Sequence, residues 1–483
     1  MATATFIKDL DTVNAYSGDD PSQRHISYLL HEQQVSLIND IFNGVDSTTQ
    51  YLFQFPQEID ATFTTRKERA TLRNFVKRAV QAFTGMIFRK PIEIDGYGAK
   101  TTKLFPKIDT NKPIQEFAKD VATALTKDGK TYILADSPAD GKTGNPYLMS
   151  VSRTSLINWR KDENGKFTMI VIEELVAEPS GLFGTQYIKQ WRVYDEDANI
   201  KIYRVSTSKE GKMNSGGYVV HKEIPTGFTS IPMIELVVDE TPILYDIAKL
   251  NIKHFNRLSH KDRYLTMAAL PIPVIWGADL NNEGTPTTAT PALVIGVDEA
   301  FIFSSKEDGD FQWRELSGDS IDALEKDLNS ITEDITTGIL RAAESANAVQ
   351  KTATEVQLLQ AEASNRVTTI ANAVERGMKE ALELLSEINK EAVPEKATFS
   401  INKDFNASLM GSDGARVIME SYLLGLVSIQ TFLQTMADME LINIDSATKE
   451  IARIKADNFK PEPKGQSESQ DNRTIAAAGT AED

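Results

Sequence analysis

The sequence predicts an α+β protein that assembles through helices too long to be covered by one small core. Apolar residues recur every three or four positions in three segments, starting at Thr241, at about Asp319 and at about Ala353. At 1.5 Å per residue the second and third helices would measure roughly 35 Å and roughly 55 Å. Segments rich in β-branched and aromatic residues precede and interrupt these helices.

The first long helix is predicted to have Thr241 as its N-cap and Pro242 at its first helical position. The third is predicted to run from Ala353 to Ile388, before Pro394. The apolar stripe of the first comprises Leu244, Ile247, Leu250, Phe255, Leu258 and Leu265. That of the second comprises Ile321, Leu324, Leu328, Ile331, Ile335 and Ile339. That of the third comprises Val356, Leu359, Ala363, Val367, Ile370, Val374, Met378, Ala381, Leu385 and Ile388.

The region before these helices is predicted to contain a basic amphipathic helix, a second helix and an antiparallel meander. The basic helix carries an apolar stripe with Leu72, Phe75 and Phe83, and its charges are interpreted as a solvated face rather than a membrane or nucleic-acid site. The second helix covers 113–127 and ends at Gly129. The meander covers 131–238, where six strand-like segments are separated by turn residues.

A smaller strand-rich insert separates the first two long helices, and a helical region follows the third. The insert contains PIPVIW, ALVIG, AFIFS and FQWREL, with an exposed polar loop expected over 279–291. After Pro394 the sequence predicts a strand in ATFSINKDF and then helices divided near Gly425 and Ser428. From about Pro461 the polar composition predicts disorder.

Composition limits the class of protein. The chain has 483 residues, 41% of them hydrophobic and 25% charged, which is enough for two to four globular regions. It has no cysteine, no apolar signal core at its start and no run of about 18 apolar residues, so a reducing compartment and no membrane association are expected. The net charge of −17 either keeps the chain soluble or lets a polyanion pass without being held.

Motifs for catalysis and cofactor binding are missing from the sequence. Both DGKT segments lack the upstream glycine of a phosphate-binding loop, and HExxH is incomplete because Val35 replaces the second histidine. Neither GxSxG nor GxGxxG occurs. We therefore expect no catalytic residue, no metal site and no cofactor, and a protein that is not an enzyme.

The first two long helices carry opposite charges. A basic stripe on the first consists of Lys249, Lys253, Arg257 and Lys261. An acidic face on the second includes Asp322, Glu325, Glu333 and Asp334. Such helices pair with each other, or with adjacent copies in a ring whose acidic helices face a central hole; the alternative is ordinary surface patterning with weak pairs.

Several segments, taken in order, resemble the portal (head-to-tail connector) proteins of tailed bacteriophages. They are GMIFRKP, GKTYILADSP, LINWRKDENGKF, IVIEE, IPMIELVVDETPILYDIAKLNIKHF, KTATEVQ, FNASLMG and GLVSIQTFL. The similarity covers roughly residues 60–440 and is closest to the branch catalogued as a conserved phage domain of unknown function. It implies the portal fold, with long stem and wing helices, antiparallel β regions in wing and clip, and a helical crown.

The resemblance also implies a division of the chain. The wing would be 1–240 together with the long helix 353–393, the stem 241–268 and 318–341, the clip 269–317, the tunnel loop 342–352 and the crown 394–460, followed by a disordered tail, 461–483. The implied tunnel-loop and DNA-channel residues are Arg341, Glu344, Asn347, Gln350 and Lys351, where Arg341 and Lys351 contact phosphates or pair with neighbouring subunits. The implied clip docking loop contains Asn281, Asn282, Glu283 and Thr285.

By resemblance the chain would form a homo-oligomeric ring, usually dodecameric, at one capsid vertex of the virion, after assembly in the host bacterial cytoplasm. Double-stranded DNA would pass through it without sequence specificity during packaging and ejection. Its protein partners would be the terminase large subunit, head-completion or adaptor proteins, and the major capsid and scaffolding proteins. Two alternatives from the residues alone are a cellular helical scaffold or adaptor, and a hydrolase with its site on the β meander.

Overall fold

The structure is a computed structural model. It describes residues 20–56, 58–109, 111–137, 145–205, 217–268, 272–276, 301–303, 310–314, 319–337, 353–392, 397–403, 412–424, 426–438 and 447–456. Within these ranges only the backbone is described for 267–320, 353–364, 412–417, 437–438, 447 and 455–456. The chain divides into two compact units, Met1–Phe405 and Asn406–Asp483. The described part mixes helices with mainly antiparallel sheets, so the α+β prediction is confirmed.

Helices dominate the first hundred described residues. They are α1 (Ile26–Asn43), α2 (Val45–Thr48), α3 (Asp60–Arg69), α4 (Phe75–Ile87), α5 (Ala99–Thr102) and α6 (Ile114–Asp128). α1 was not expected from the mixed composition of this region. α6 ends as predicted, because Gly129 adopts the left-handed conformation (φ 72°) that most side chains avoid.

The basic amphipathic helix predicted around Leu72 is in fact two helices. Basic residues of the RKER segment end α3, whereas the apolar stripe lies on α4, which starts only at Phe75. Asn74 starts α4 by accepting a hydrogen bond from the backbone N–H of Lys77 at 2.8 Å. Lys77 and Arg78 are exposed, as the prediction of a solvated face requires.

The predicted single meander is wrong, because its strands belong to two sheets. β2 (Lys130–Asp136) lies between β3 (Tyr147–Val151) and β9 (Met233–Val237), and all its pairings are antiparallel. Every residue of β2 is buried, which identifies a central strand covered on both faces. The second sheet, in sequence order, contains β4 (Leu156–Lys161), β5 (Phe167–Ser180), β6 (Gly184–Tyr194), β7 (Ile200–Val205) and β8 (Tyr218–Ile224).

The three predicted long helices are present. They are α7 (Tyr245–Ala268), α8 (Asp319–Ile335) and α9 (Ala353–Ile388). α7 starts later than predicted: Thr241 and Pro242 lie in a turn, where the backbone N–H of Tyr245 donates to the Pro242 carbonyl at 3.0 Å. The prediction that Thr241 caps this helix is therefore wrong. The predicted end of the second helix, beyond residue 337, lies outside the described residues.

α9 forms the centre of the largest hydrophobic core, where it packs against α4, α6 and the β2–β9 side of the three-stranded sheet. Its predicted stripe is confirmed over the described side chains. Six members of the predicted stripe are fully buried: Val367, Ile370, Val374, Met378, Ala381 and Leu385. The helix therefore packs against α4, α6 and β2, which precede it by more than 200 residues in the chain.

The remaining strands are short. β10 (Ile272–Trp276), β11 (Phe301–Phe303) and β12 (Asp310–Arg314) form a sheet in which β10 is central, antiparallel to β12 but parallel to β11. The parallel pairing corrects the expectation of a second antiparallel meander in the insert. The segment ALVIG and the loop 279–291 lie outside the described residues. β13 (Thr398–Ser400), predicted from ATFSINKDF, pairs with β1 (Glu93–Asp95).

The described part of the second unit is helical, with α10 (Ser412–Leu423), α11 (Ile429–Asp438) and α12 (Ala447–Ala456). The break predicted near Gly425 and Ser428 separates α10 from α11 and is confirmed. The rings of Tyr422 and Phe432 stack across this break, with centroids 4.7 Å apart. The predicted disordered tail from Pro461 lies outside the described residues.

Candidate functional site

α7 and α8 form an antiparallel pair joined by their opposite charges. Arg257 Nε lies 2.9 Å from Asp327 Oδ2, and Lys261 Nζ lies 3.2 Å from Glu325 Oε1. Residue numbers therefore rise on one helix as they fall on the other. Of the alternatives left open by the sequence, pairing within one chain is confirmed for this half of the basic stripe. These pairs are partly exposed, so each contributes only about 0–1 kcal/mol and mainly sets the register of the helices.

The other half of the basic stripe, Lys249 and Lys253, forms no ion pair with the described residues of α8. Lys249 and Lys253 are exposed, and Lys249 Nζ lies 4.5 Å from the centre of the Tyr245 ring. The ion pairs between α7 and α8 thus lie in the C-terminal half of α7, which leads into the small β10–β12 sheet. The opposite end keeps two cations on the surface.

α8 separates apolar from acidic residues cleanly. Its buried face contains Leu328, Ile331 and Ile335, and the last two belong to the main core. Its exposed face includes all four predicted acidic residues: Asp322, Glu325, Glu333 and Asp334. Lys326 is the exposed cation within the described side chains of this helix. Because Glu325 is paired with Lys261, the face is net negative through Asp322, Glu333 and Asp334, against Lys326.

Two amide side chains, buried Asn251 and partly buried Asn256, hold α7 against the N-terminal helices. Asn251 Oδ1 accepts from the backbone N–H of Phe75 at 2.9 Å, and its Nδ2 donates to the Arg73 carbonyl at 2.9 Å. Asn256 Oδ1 accepts from the backbone N–H of Phe53 at 2.7 Å, while its Nδ2 donates to the Tyr51 carbonyl at 3.1 Å. Both amides form hydrogen bonds with backbone groups that have no partner within a helix. These bonds fix the position of α7 along its axis.

A buried charge network provides the third anchor of α7. Arg66 donates to both carboxylate oxygens of Glu58, from Nε at 2.9 Å and from Nη2 at 2.7 Å. Arg263 on α7 donates to the same carboxylate at 2.9 Å, and Arg66 Nη1 reaches Ser259 Oγ at 3.2 Å. The hydrogen bonds from Arg66 hold the pKa of Glu58 below its ordinary value despite burial.

Sequence reasoning missed these anchoring residues. Asn251, His254 and Ser259 interrupt the apolar stripe of α7 at helical spacing, and such interruptions are a signal of buried hydrogen bonding. Glu58 gave no signal, because one acidic residue in a polar segment is normally solvated.

The burial of His254 predicts a loss of stability in mild acid. Burial lowers the pKa of His254 to about 4, with a further effect from Arg73, and its ring packs edge-on against Phe75. The unfolded chain, with an ordinary pKa of 6.5, binds the proton first, so stability falls as the pH falls from about 6.5 toward 4. The expected loss at pH 5 is about 2 kcal/mol.

Thermal unfolding of the wild type and of His254→Leu between pH 7.5 and 4.5 checks this expectation. The variant should lose less stability than the wild type over this range. Asp128, whose pKa burial raises to about 6, acts in the opposite direction, but it is present in both proteins and cancels in the comparison. Parallel pH curves for the two proteins would contradict the assignment.

The predicted tunnel-loop residues Arg341, Glu344, Asn347, Gln350 and Lys351 lie outside the described residues. So do the predicted docking-loop residues Asn281, Asn282, Glu283 and Thr285. These residues therefore stay predictions.

In the described part of the chain, no group of three or more histidine, cysteine or acidic side chains is arranged to hold a metal ion. None of the helices in the same residues combines the length and apolarity that crossing a bilayer requires.

Comparison with known proteins finds a family model and similar solved structures. A family model described as a domain of unknown function (DUF4055) matches residues 243–387, from just before α7 to the end of α9. None of the curated proteins matches the sequence. Among solved structures, a chain described as part of the "Neck of empty GTA particle computed with C6 symmetry" is similar at 10% identity, with a TM-score of 0.39. That alignment covers 75% of this chain and 89% of the other, and the score lies below the level that shows a common fold.

Proposed function

We propose that this chain is the portal subunit of a tailed bacteriophage, a non-enzymatic protein that forms a ring around a channel for double-stranded DNA. The observation that carries the proposal is the antiparallel α7–α8 pair, held against the N-terminal helices along α7 and with exposed acidic residues on α8. The order of segments that resemble portal proteins supports it, and so does a family match that spans this pair and α9. DNA would pass during packaging and ejection.

The anchoring of the pair suits a stem. α7 has 24 residues and is roughly 36 Å long. Asn251 and Asn256 fix it to the N-terminal helices, while Ile331 and Ile335 of α8 enter the main core. The insert 269–317 connects the end of α7 to the start of α8. In this proposal its small sheet would be accessible to a docking partner. In this proposal the insert is the clip, which docks the terminase large subunit and later head-completion proteins.

The remaining regions are proposed by their position in the chain. Residues 1–240 and α9 would form the wing, 342–352 the tunnel loop and 394–460 the crown. Exposed Lys249 and Lys253 would face away from the channel, and the acidic face of α8 would line it. A negative lining repels phosphates weakly, so DNA slides instead of binding.

End-on electron micrographs of the purified full-length protein test the ring. We expect closed rings of uniform subunit number with a central hole wide enough for a duplex. Native mass spectrometry of the same sample should give a single multiple of the 53.5 kDa chain mass. Monomers, closed dimers or open filaments would contradict the proposal, and filaments would favour the scaffold alternative.

Charge reversal on α8 tests the proposed channel lining. Asp322→Lys combined with Asp334→Lys should raise the affinity of the assembled ring for a short duplex about tenfold at low salt, because added cations release counterions from DNA. The gain should disappear at high salt, and fluorescence anisotropy with a labelled duplex measures both values.

The matched control for this experiment is Glu380→Lys combined with Glu387→Lys. Both residues are exposed on α9, outside the proposed channel, and the change in net charge is identical. The control should raise duplex affinity much less. Equal affinity for the two double variants would mean that net charge alone attracts DNA and that α8 does not line a channel.

A further inference from the structure

β5 and β6 extend well beyond the sheet to which they belong. β4 pairs with β5 only as far as Ile172, and β7 pairs with β6 only from Gln190 onward. Residues 173–189 continue as a two-stranded hairpin, here called the arm, with pairing that is unbroken to Ser180 and Gly184. With eight residues of β5 and six of β6, the arm is roughly 20–25 Å long.

The tip of the arm is built to present two large apolar side chains. Leu182 is 87% exposed and Phe183 is 96% exposed. Gly181 adopts a φ of 70°, and a Cβ on Gly184 would lie 2.5 Å from the Ser180 carbonyl oxygen. The turn therefore requires glycine at both ends, which holds the two side chains outward in a fixed geometry.

The rest of the arm is also unusual for a free surface. Leu175 and Tyr187 are both more than two-thirds exposed. Among the residues that the structure describes, no strand pairs with the outer edge of β5 beyond Glu173. Long, open, apolar edges promote association, and proteins normally cover them or protect them with charges.

Neutrality at the tip of the arm suits a second copy of this chain as its cover. The chain carries −17 overall, so identical copies repel each other over most of their surfaces. Within the arm, the charged residues are Glu173, Glu174, Glu178 and Lys189. Each acid among them lies within 3.0 Å of a basic side chain: Lys189 for Glu173, Arg192 for Glu174 and Arg204 for Glu178. From Pro179 to Ile188 there is no charge at all.

We infer that the arm of one subunit docks on the adjacent subunit, head to tail, with Leu182 and Phe183 as its anchors. This inference rests on the proposed ring and names a contact that closes it. The tip of the arm is neutral and apolar, so its burial on a neighbouring acidic subunit has a small electrostatic cost. A head-to-tail contact also propagates around a ring, whereas an arm-to-arm contact ends at a dimer.

Cross-linking tests the contact directly, because the chain has no cysteine and one introduced thiol is unique. Gln186→Cys, labelled with a benzophenone maleimide and irradiated in the full-length assembly, should give covalent dimers, trimers and higher species. Peptide mapping should place the cross-links on a neighbouring chain. Glu163→Cys, exposed at the opposite end of β5, is the matched control and should cross-link several times less.

Leu182→Ser combined with Phe183→Ser tests the anchors. We expect the concentration at which half of the chains are assembled to rise about tenfold or more, since exposed aromatic anchors dominate interface energies. The melting temperature at subunit concentrations where only monomer is present should not change, because both side chains are already in solvent. Thr185→Ala combined with Gln186→Ala changes polar residues of the same arm and should assemble like the wild type.

Several results would overturn the inference. Wild-type rings with unchanged assembly of the Leu182 and Phe183 variant, and no interchain cross-link from residue 186, would remove the arm contact while the ring remains. Cross-linking that stops at dimers would show an arm-to-arm contact, and cross-links to a copurifying protein would show a different occupant. A wild type that is monomeric at every concentration would remove both the arm contact and the ring.

Discussion

Gly377→Ala should destabilise the protein by about 3 kcal/mol, although alanine normally favours a helix over glycine. Gly377 lies in α9 where this helix crosses β9. A Cβ at this position would lie 2.6 Å from both Cγ and Cδ2 of Leu236. Leu236 is fully buried and its backbone pairs with β2, so neither side has room to move. Urea unfolding of the monomeric chain measures the change.

Two variants show whether close packing causes that loss. Gly85→Ala is the matched control: Gly85 lies within α4, and a Cβ there has nothing within 4 Å, so a gain of about 0.5–1 kcal/mol is expected. Leu236→Ala alone should cost about 2–4 kcal/mol by leaving a cavity. Combined with Gly377→Ala, it should cost less than the sum, because each change relieves the other. Strict additivity would exclude the clash as the cause.

Glu58→Gln should cost about 3–5 kcal/mol, the second large effect expected. The substitution leaves Arg66, which is almost completely buried, and Arg263 without the carboxylate that both contact. Because α7 loses an anchor, thermal unfolding should begin at a lower temperature, and protease cleavage near Arg263 should become faster. The exposed pair of Arg24 and Glu32 is a suitable comparison, and Glu32→Gln should cost less than about 1 kcal/mol.

The sign of the pH effect separates this network from His254. The folded pKa of Glu58 is below its ordinary value of 4.5, so its contribution is complete above pH 4.5 and is lost as the pH falls through the folded pKa. The His254 effect begins two units higher. Glu58→Gln should therefore flatten the stability curve only below about pH 4.5. An unchanged curve there would mean that the carboxylate is not bound more strongly in the folded state.

Periodicity in the sequence was sufficient to predict the long helices. α9 has the predicted ends, Ala353 and Ile388, because ten turns of regular apolar spacing leave little freedom for another interpretation. α7 was predicted three residues too early, since Thr241 and Pro242 match a helix start but adopt a turn held by Asp239. Local start signals compete with tertiary contacts, whereas a long stripe does not.

The sheets and the anchors of α7 depend on contacts that a linear pattern does not contain. β9 follows β8 in sequence yet pairs with β2, about a hundred residues earlier, so six strands of similar composition were assigned to one sheet. The opposite charges of α7 and α8 were visible in the sequence, but among the described residues only Arg257 and Lys261 of the basic stripe form ion pairs with α8. Helical spacing does not specify which half of a stripe meets its partner.

The position of α9 in the largest core has a consequence for synthesis of the chain. The ribosome synthesises α4, α6 and β2 more than 200 residues before α9, the helix that completes their packing. The separation between β1 and its partner strand β13 is longer still. Until then their apolar faces remain uncovered, and chaperones have access to them. Completion of the subunit late in translation delays assembly until nearly the whole polypeptide exists. A chain that is still being synthesised therefore lacks the complete core that a subunit needs before it assembles with other copies.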